Sequence, residues 1–146
     1  MSRVVPFQPE HFDALAALGT TEGTLTADLP PGFMAELARG NSWAILRADG
    51  RPIACVGVVP HWPRRYRCWA ILAVDAGPHM GLVTRATRKL LNEACEPGRY
   101  EMEVRFDFEQ GVRWAKLLGF HVETPRLERF TPDGRDYVGM VRFIGM

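Results

Sequence analysis

The sequence predicts a mixed α/β (α+β) fold, in which a mostly antiparallel sheet of about seven strands carries four helices. A strand–helix–strand unit in the middle of the chain supports this prediction: an apolar strand at Trp69–Val74, an amphipathic helix with its stripe from Leu82 to Cys95, and an alternating strand at Tyr100–Phe106. The two strands should be parallel and joined by a right-handed crossover. Hairpin turns at Asp49–Gly50 and Pro132–Gly134 predict antiparallel strands on both sides of the unit.

The other elements follow in chain order from apolar patterns and their Gly and Pro boundaries. Before the central unit, the patterns predict a strand at Arg3–Phe7, helices at Glu10–Leu18 and Gly32–Ala38 separated by a polar loop at Thr20–Asp28, strands at Ser42–Ala48 and Pro52–Val59, and a long turn at Pro60–Arg67. After the unit, they predict a helix at Glu109–Leu118 and strands at Phe120–Phe130 and Arg135–Phe143.

Composition and charge favour a single globular domain that acts on something other than nucleic acid. The chain has 146 residues, is 47% hydrophobic and 24% charged, and carries a formal net charge of +1. A charge so close to zero gives no reason to expect nucleic acid as a partner. Three cysteines, without the spacing of a disulfide framework, indicate a reducing compartment. With no membrane span and no signal peptide in the pattern, a soluble cytoplasmic protein is expected.

The start of the central helix, at residues 80–85, is a candidate anion site. A helix N-terminus presents unpaired N–H groups and a partial positive charge, which suits a phosphate. The imidazole of His79 could contact such an anion, and Arg85, Arg88 and Lys89 lie on the polar side of the same helix. The alternative is a crossover helix that only covers the sheet and binds nothing.

The order of elements, together with the residues of Trp69–Val74 and Val112–Phe120, resembles the GNAT superfamily of N-acetyltransferases. The resemblance implies that the pantetheine of acetyl-CoA lies between the two parallel strands, with its pyrophosphate on the N-terminus of the central helix. It implies an acyl-CoA-dependent transfer to an unidentified amine, of a small molecule or a protein. The implied cofactor-binding residues are Ala73, Val74, His79, Met80, Gly81, Leu82, Val83, Thr84 and Arg85.

The chain departs from that family at several motif positions. The pyrophosphate loop usually reads Val-x-x-x-x-Gln/Arg-x-x-Gly-x-Gly/Ala, and its last three defined places hold His79, Leu82 and Thr84 here. Side chains at Leu82 and Thr84 are expected to crowd a phosphate. The Asn and the thiolate-protonating Tyr of the family are replaced by Phe108 and Ala115.

A second resemblance concerns the GNAT-like internal virion protein of short-tailed phages. The corresponding residues are Thr84–Lys89, Arg113–Lys116 and Thr131–Gly134. This resemblance implies a structural or accessory protein without catalysis, associated with the virion and with phage virion proteins as partners. A sheet splayed between Val74 and Glu101 would favour the enzyme, and a cleft plugged by Met80, Leu82 or Phe108 would favour the structural protein.

Acetyl transfer to an amine requires a base, an acid and a main-chain donor to the thioester carbonyl. The base candidates are Asp75, at the mouth of the cleft, and Glu101 or Glu103 on the following strand; the acid candidates are Tyr100, Tyr66 and Cys68. For each residue the alternative is an ordinary role, as a solvated carboxylate or a packed core side chain. The donor is expected near Ala73–Val74. The oligomeric state is left open, with a homodimer as one alternative.

Overall fold

The computed structural model describes residues 3–19 and 32–146. In chain order its elements are β1 (Arg3–Pro6), α1 (Pro9–Leu18), α2 (Phe33–Arg39), β2 (Asn41–Leu46), β3 (Pro52–Trp62), β4 (Arg65–Leu72), α3 (Met80–Glu93), β5 (Gly98–Arg105), α4 (Glu109–Leu117), β6 (His121–Leu127) and β7 (Tyr137–Ile144). The seven strands form one sheet in the order β1-β2-β3-β4-β5-β7-β6. The predicted mixed fold is confirmed, and the loop predicted at Thr20–Asp28 lies outside the described residues.

Strands β4 and β5 are the one parallel pair in this sheet, and their pairing is short. It comprises Arg65 with Arg99, Tyr66 with Tyr100, and Arg67 with Glu101, whereas the neighbouring pairs β3–β4 and β5–β7 are antiparallel and extend over about eight positions. Beyond Arg67 the two parallel strands are no longer paired. We call the opening between them the fork.

Helices cover both faces of the sheet. Cys68 and Trp69 are neighbours in β4 and therefore point to opposite faces. Trp69 lies beside α2, which packs on β2 and β3, while Cys68 packs in a cluster with Leu91 of α3 and Ala115 of α4. We call these the α2 face and the α3 face. No helix in the described part of the chain is long and apolar enough to cross a membrane.

The prediction of a long turn at Pro60–Arg67 is wrong. Strand β3 continues to Trp62 and β4 begins at Arg65, so the turn consists of two residues, with Arg64 in the left-handed region at φ 70°. The hairpin end projects from the core. Its side chains therefore have no buried face and do not show the alternation of apolar and polar residues that marks a strand. The guanidinium of Arg65 lies over the exposed Trp62 ring, 4.4 Å from its centroid.

The boundaries around the central helix also differ from those predicted. Strand β4 ends at Leu72 rather than Val74, whose side chain is 60% exposed. A 3-10 turn at Gly77–His79 then leads directly into α3 at Met80. Pro78 fixes a helical φ in that turn, so the helical path starts before the apolar stripe does.

Candidate functional site

The edge of β4 at the fork offers main-chain groups to a ligand. The N–H of Ala73 donates to the carbonyl of Ile53 on β3 at 2.9 Å. Because successive peptide groups of a strand alternate in direction, the N–H of Ala70 points the other way, toward β5. Ala70 lies past Arg67, the last residue of β4 that pairs with β5. An extended ligand in the fork would therefore meet the β4 edge at Ala70.

A main-chain donor to the thioester carbonyl is expected near Ala73–Val74, but the N–H groups of both residues are already engaged in hydrogen bonds. The N–H of Ala73 is taken by Ile53, and the N–H of Val74 donates to the carbonyl of Gly19 at 2.9 Å. Ala73 is fully buried. Neither N–H is therefore available to a ligand, and the register moves the candidate donor to Ala70.

At the N-terminus of α3, two of the N–H groups expected to hold an anion are not used by the helix or by the turn before it. The preceding 3-10 turn takes the N–H of His79, which donates to Ala76 at 2.8 Å, and that of Met80, which donates to Gly77. The helical pattern from Met80 onward occupies the N–H groups after Leu82. For the anion site predicted over residues 80–85, the main-chain N–H groups that remain available are those of Gly81 and Leu82.

The environment of Gly81 suits an anion. A Cβ placed on Gly81 would lie 3.8 Å from a guanidinium nitrogen of Arg85, so this cation folds back over the first turn of α3. Leu82 and Thr84, which were expected to crowd a phosphate, point into the protein instead. Leu82 packs against the core, and the Thr84 hydroxyl donates to the carbonyl of Met80 at 2.6 Å and accepts the indole N–H of Trp114 at 3.0 Å.

Asp75 is held in the turn beside this helix terminus rather than at the fork. One oxygen of its carboxylate accepts a hydrogen bond from Arg47 at 2.5 Å, and the same guanidinium lies 3.5 Å from Nε2 of His79. The hydrogen bond from Arg47 lowers the pKa of Asp75 below its ordinary value. The ion pair with Arg47 holds Asp75 in this turn, and its role as a catalytic base stays a prediction.

Glu101 is similarly committed to arginines. It accepts hydrogen bonds from Arg65 at 2.6 Å and from Arg99 at 2.7 Å, at the last paired position before the fork. These contacts, that with Arg65 first, lower the pKa of Glu101 to about 2. With two arginines on it at the paired end of the strands, Glu101 is less available to a ligand than a carboxylate beyond the pairing, and its role as a base stays a prediction.

The structure places the acid candidates Tyr100 and Cys68 in the interior. Tyr100 is 1% exposed, stacks on Tyr66 with ring centroids 4.7 Å apart, and donates its hydroxyl to the carbonyl of Glu96 at 2.7 Å. Burial raises the pKa of Tyr100 and that of the Cys68 thiol. Tyr100 lies at the paired end of the two strands, and its hydroxyl is used in a structural hydrogen bond.

Glu103 is the carboxylate that the structure brings to the fork. It lies two residues past the last paired position of β5, on the same face as Glu101, and lines a cavity of about 460 Å³ on the α2 face. Arg67 donates to it from Nε at 3.1 Å and from a second guanidinium nitrogen. The sequence could not rank Glu103 above Glu101, because the difference depends on where the strands stop pairing.

The side chains expected to plug the cleft do not fill this cavity. Met80 and Leu82 pack against the core, and the Phe108 ring lies 2.5 Å from where a Cβ on Gly111 would stand, beneath α4. On the α3 face, the described residues enclose a small apolar cavity of about 40 Å³, with Trp114 in its wall. In the described part of the chain, the fork is therefore open toward the α2 face.

Comparisons with known proteins identify the fold. No protein-family model matches the chain, and no curated protein matches it. Among solved structures, Ard1 from Thermoplasma volcanium shares 17% identity over 99% of both chains, with a TM-score of 0.77. The ribosomal-protein-S18-alanine N-acetyltransferase from Escherichia coli shares 17% identity over 100% of this chain and 96% of its own, with a TM-score of 0.72.

A third structure is a chimera of the spermidine N-acetyltransferase SpeG from Vibrio cholerae and hSSAT. It shares 14% identity over 97% of this chain and 95% of its own, with a TM-score of 0.67. None of these three is a phage virion protein, so the phage resemblance rests on the short motifs alone. The agreement in overall fold shows that the chain has the fold of the GNAT N-acetyltransferases.

Proposed function

We propose that the protein is an acetyl-CoA-dependent N-acetyltransferase that transfers an acetyl group to a primary amine. The observation that carries the proposal is the fork, where β4 leaves β5 and exposes an unpaired strand edge at Ala70. An extended, amide-containing ligand can add to such an edge as a further strand would. The shared fold supports the same activity.

The residues around the fork fit the proposed donor substrate. Acetyl-CoA, when bound, supplies the acetyl thioester. The N–H groups of Gly81 and Leu82, together with the guanidinium of Arg85, favour a pyrophosphate at the start of α3. The N–H of Ala70 is placed to donate to an amide or thioester carbonyl in the fork.

Glu103 is proposed to receive the protons that the acceptor amine loses. The amine enters from the cavity on the α2 face, where this carboxylate lies beside the fork. A bond forms between the amine nitrogen and the thioester carbonyl carbon as the carbon–sulfur bond breaks. Glu103 passes the protons lost by nitrogen to solvent, and water protonates the released sulfur.

Replacing Ala70 tests the fork directly. Ala70→Pro removes the N–H that points toward β5 without removing a hydrogen bond to β3, whereas Ala70→Ser keeps the N–H. We expect Ala70→Pro to weaken acetyl-CoA binding by about threefold to tenfold in isothermal titration calorimetry, because losing one hydrogen bond costs about 0.5–1.5 kcal/mol. Ala70→Ser should bind as the wild type does. Equal affinity of the two variants, or no binding to the wild type, would refute the proposed site.

A further inference from the structure

The cavity on the α2 face has mostly apolar walls, formed by several parts of the chain. One wall comes from α2, and the other from β3, β4, β5, the segment between β6 and β7, and the start of β7. Its apolar lining includes Phe33, Met34, Leu37, Trp69, Phe130 and Tyr137. A volume of about 460 Å³ lies in the range of small-molecule sites.

The indole of Trp69 is a fixed part of this wall. A Cβ on Gly57 would lie 2.8 Å from ring atoms of Trp69, so the ring lies directly on the glycine backbone of β3. On its other side the ring meets the edge of Phe7, with centroids 5.2 Å apart and planes at 69°. Held by both contacts, Trp69 presents a rigid aromatic surface to whatever occupies the cavity.

The lining places one partly buried carboxylate, that of Glu103, beside the fork. Glu103 is 19% exposed and paired with Arg67, whose guanidinium lies 5.7 Å from the centroid of Phe130. The other carboxylate of the described lining, Glu36, is 66% exposed and paired with Arg39 on its own helix at 2.9 Å. A polyamine would have to place additional ammonium groups against apolar walls without carboxylate partners, which is costly.

The lining also disfavours an acceptor that carries a carboxylate of its own. Arg67 already directs Nε and another of its nitrogens at Glu103, so part of its guanidinium is engaged there. An amino acid would bring its own carboxylate close to Glu103 and repel it. A monoamine without an acid group meets neither penalty.

We infer that the acceptor is a compact monoamine with an aromatic or branched apolar body, bound with its nitrogen at Glu103 and its body against Trp69 and Phe130. This inference rests on the proposed acetyltransferase function and names the class of its substrate. Glu103 binds the ammonium form and then takes its proton, while the apolar walls exclude water from the body of the amine. The aromatic walls make the site selective for this class of amine.

A panel of amines with the full chain tests the inference. Release of the thiol from acetyl-CoA is measured with 2-phenylethylamine, L-phenylalanine, spermidine and a peptide with a free N-terminal alanine, after calorimetry has established acetyl-CoA binding. We expect kcat/KM for 2-phenylethylamine to exceed that for each of the others by about tenfold or more, the ratio that corresponds to 1.4 kcal/mol. L-Phenylalanine differs from it only by the carboxylate.

Two substitutions locate the amine in the cavity. Glu103→Gln should lower kcat/KM for 2-phenylethylamine by about tenfold or more while leaving the affinity for acetyl-CoA unchanged. Phe130→Ala should raise KM and leave kcat close to the wild-type value. Glu123→Gln, the matched control, removes a carboxylate that pairs with Arg99 outside the cavity and should change neither constant.

The outcomes separate this inference from the function on which it rests. If acetyl-CoA binds but spermidine, L-phenylalanine or the peptide is preferred, the acceptor class is wrong and the acetyltransferase function stands. Binding of acetyl-CoA without transfer to 2-phenylethylamine, or wild-type kinetics in Glu103→Gln, overturns the inference as well. If acetyl-CoA does not bind, the proposed function itself fails.

Discussion

At the scale of single residues, the site depends on two glutamates that the sequence could not distinguish. Glu101 and Glu103 lie on the same face of β5, and each is paired with arginine. Glu101 belongs to the last paired position, between Arg65 and Arg99, whereas Glu103 lies beyond it and lines the cavity. The alternating pattern of β5 predicted their common face, but only the length of the β4–β5 pairing separates Glu103, at the cavity, from Glu101, at the last paired position.

The pairing of Glu101 predicts a pH-dependent contribution to stability. Its folded pKa of about 2 lies below its ordinary value of 4.5, so its stabilising effect is complete above about pH 4.5 and disappears as the pH falls toward 2. Glu101→Gln should therefore lower the free energy of unfolding at pH 7 by about 1–2 kcal/mol, since it removes charge-assisted hydrogen bonds. Urea unfolding at pH 7 and at pH 3 measures both values. A deficit that is the same or larger at pH 3 would contradict this assignment.

The contact between Gly57 and Trp69 predicts a second residue-level effect. Gly57→Ala would place a Cβ 2.8 Å from the indole ring and from the Cβ of Ser42, so one of the neighbours must move. We expect a loss of about 1–3 kcal/mol in the free energy of unfolding, the usual cost of overpacking. Gly77→Ala is the control, because a Cβ there meets nothing within 4 Å. Equal stability of the two variants in urea unfolding would show that the wall around Trp69 is not tightly packed.

At the scale of elements, the apolar patterns predicted the existence of strands and helices better than their ends. The Asp49–Gly50 hairpin, the helix before Gly119 and the central strand–helix–strand unit are all present. The β3–β4 hairpin was misread as a long turn because its exposed end carries polar and aromatic side chains without a buried face. The fork was expected only from the resemblance, since it arises from pairing that stops rather than from a residue pattern.

The N-terminus of α3 gives an element-level prediction. Arg85 lies over the turn that presents the N–H groups of Gly81 and Leu82, so Arg85→Ala should weaken acetyl-CoA binding about threefold to tenfold, with a smaller loss at high salt. Arg135→Ala removes an exposed arginine paired with Asp133 in the β6–β7 segment and should bind normally. Calorimetry at two salt concentrations measures both variants. Equal losses in the two variants would indicate a general charge effect rather than a site at α3.

At the scale of the whole molecule, the fold is shared with acetyltransferases at very low sequence identity. Ard1 from Thermoplasma volcanium superposes with a TM-score of 0.77 although only 17% of its residues are identical. The spacing of apolar residues and turns predicted the class of fold, although not the order of the strands in the sheet. It does not say which side chains line the site, which is why the choice of Glu103 over Glu101 and the engaged N–H groups of Ala73 and Val74 emerged only from the structure.

The most direct test of the account is thermal unfolding of the protein with and without acetyl-CoA. A ligand that binds only the folded state, present at 100 times its dissociation constant, adds about 2.7 kcal/mol to the free energy of unfolding. For a domain of this size that corresponds to a rise in Tm of about 5–10 °C. We expect this rise in Tm with acetyl-CoA in the wild type and a smaller rise in Ala70→Pro. An unchanged Tm at millimolar acetyl-CoA would contradict the central claim that the fork and the start of α3 form an acetyl-CoA site.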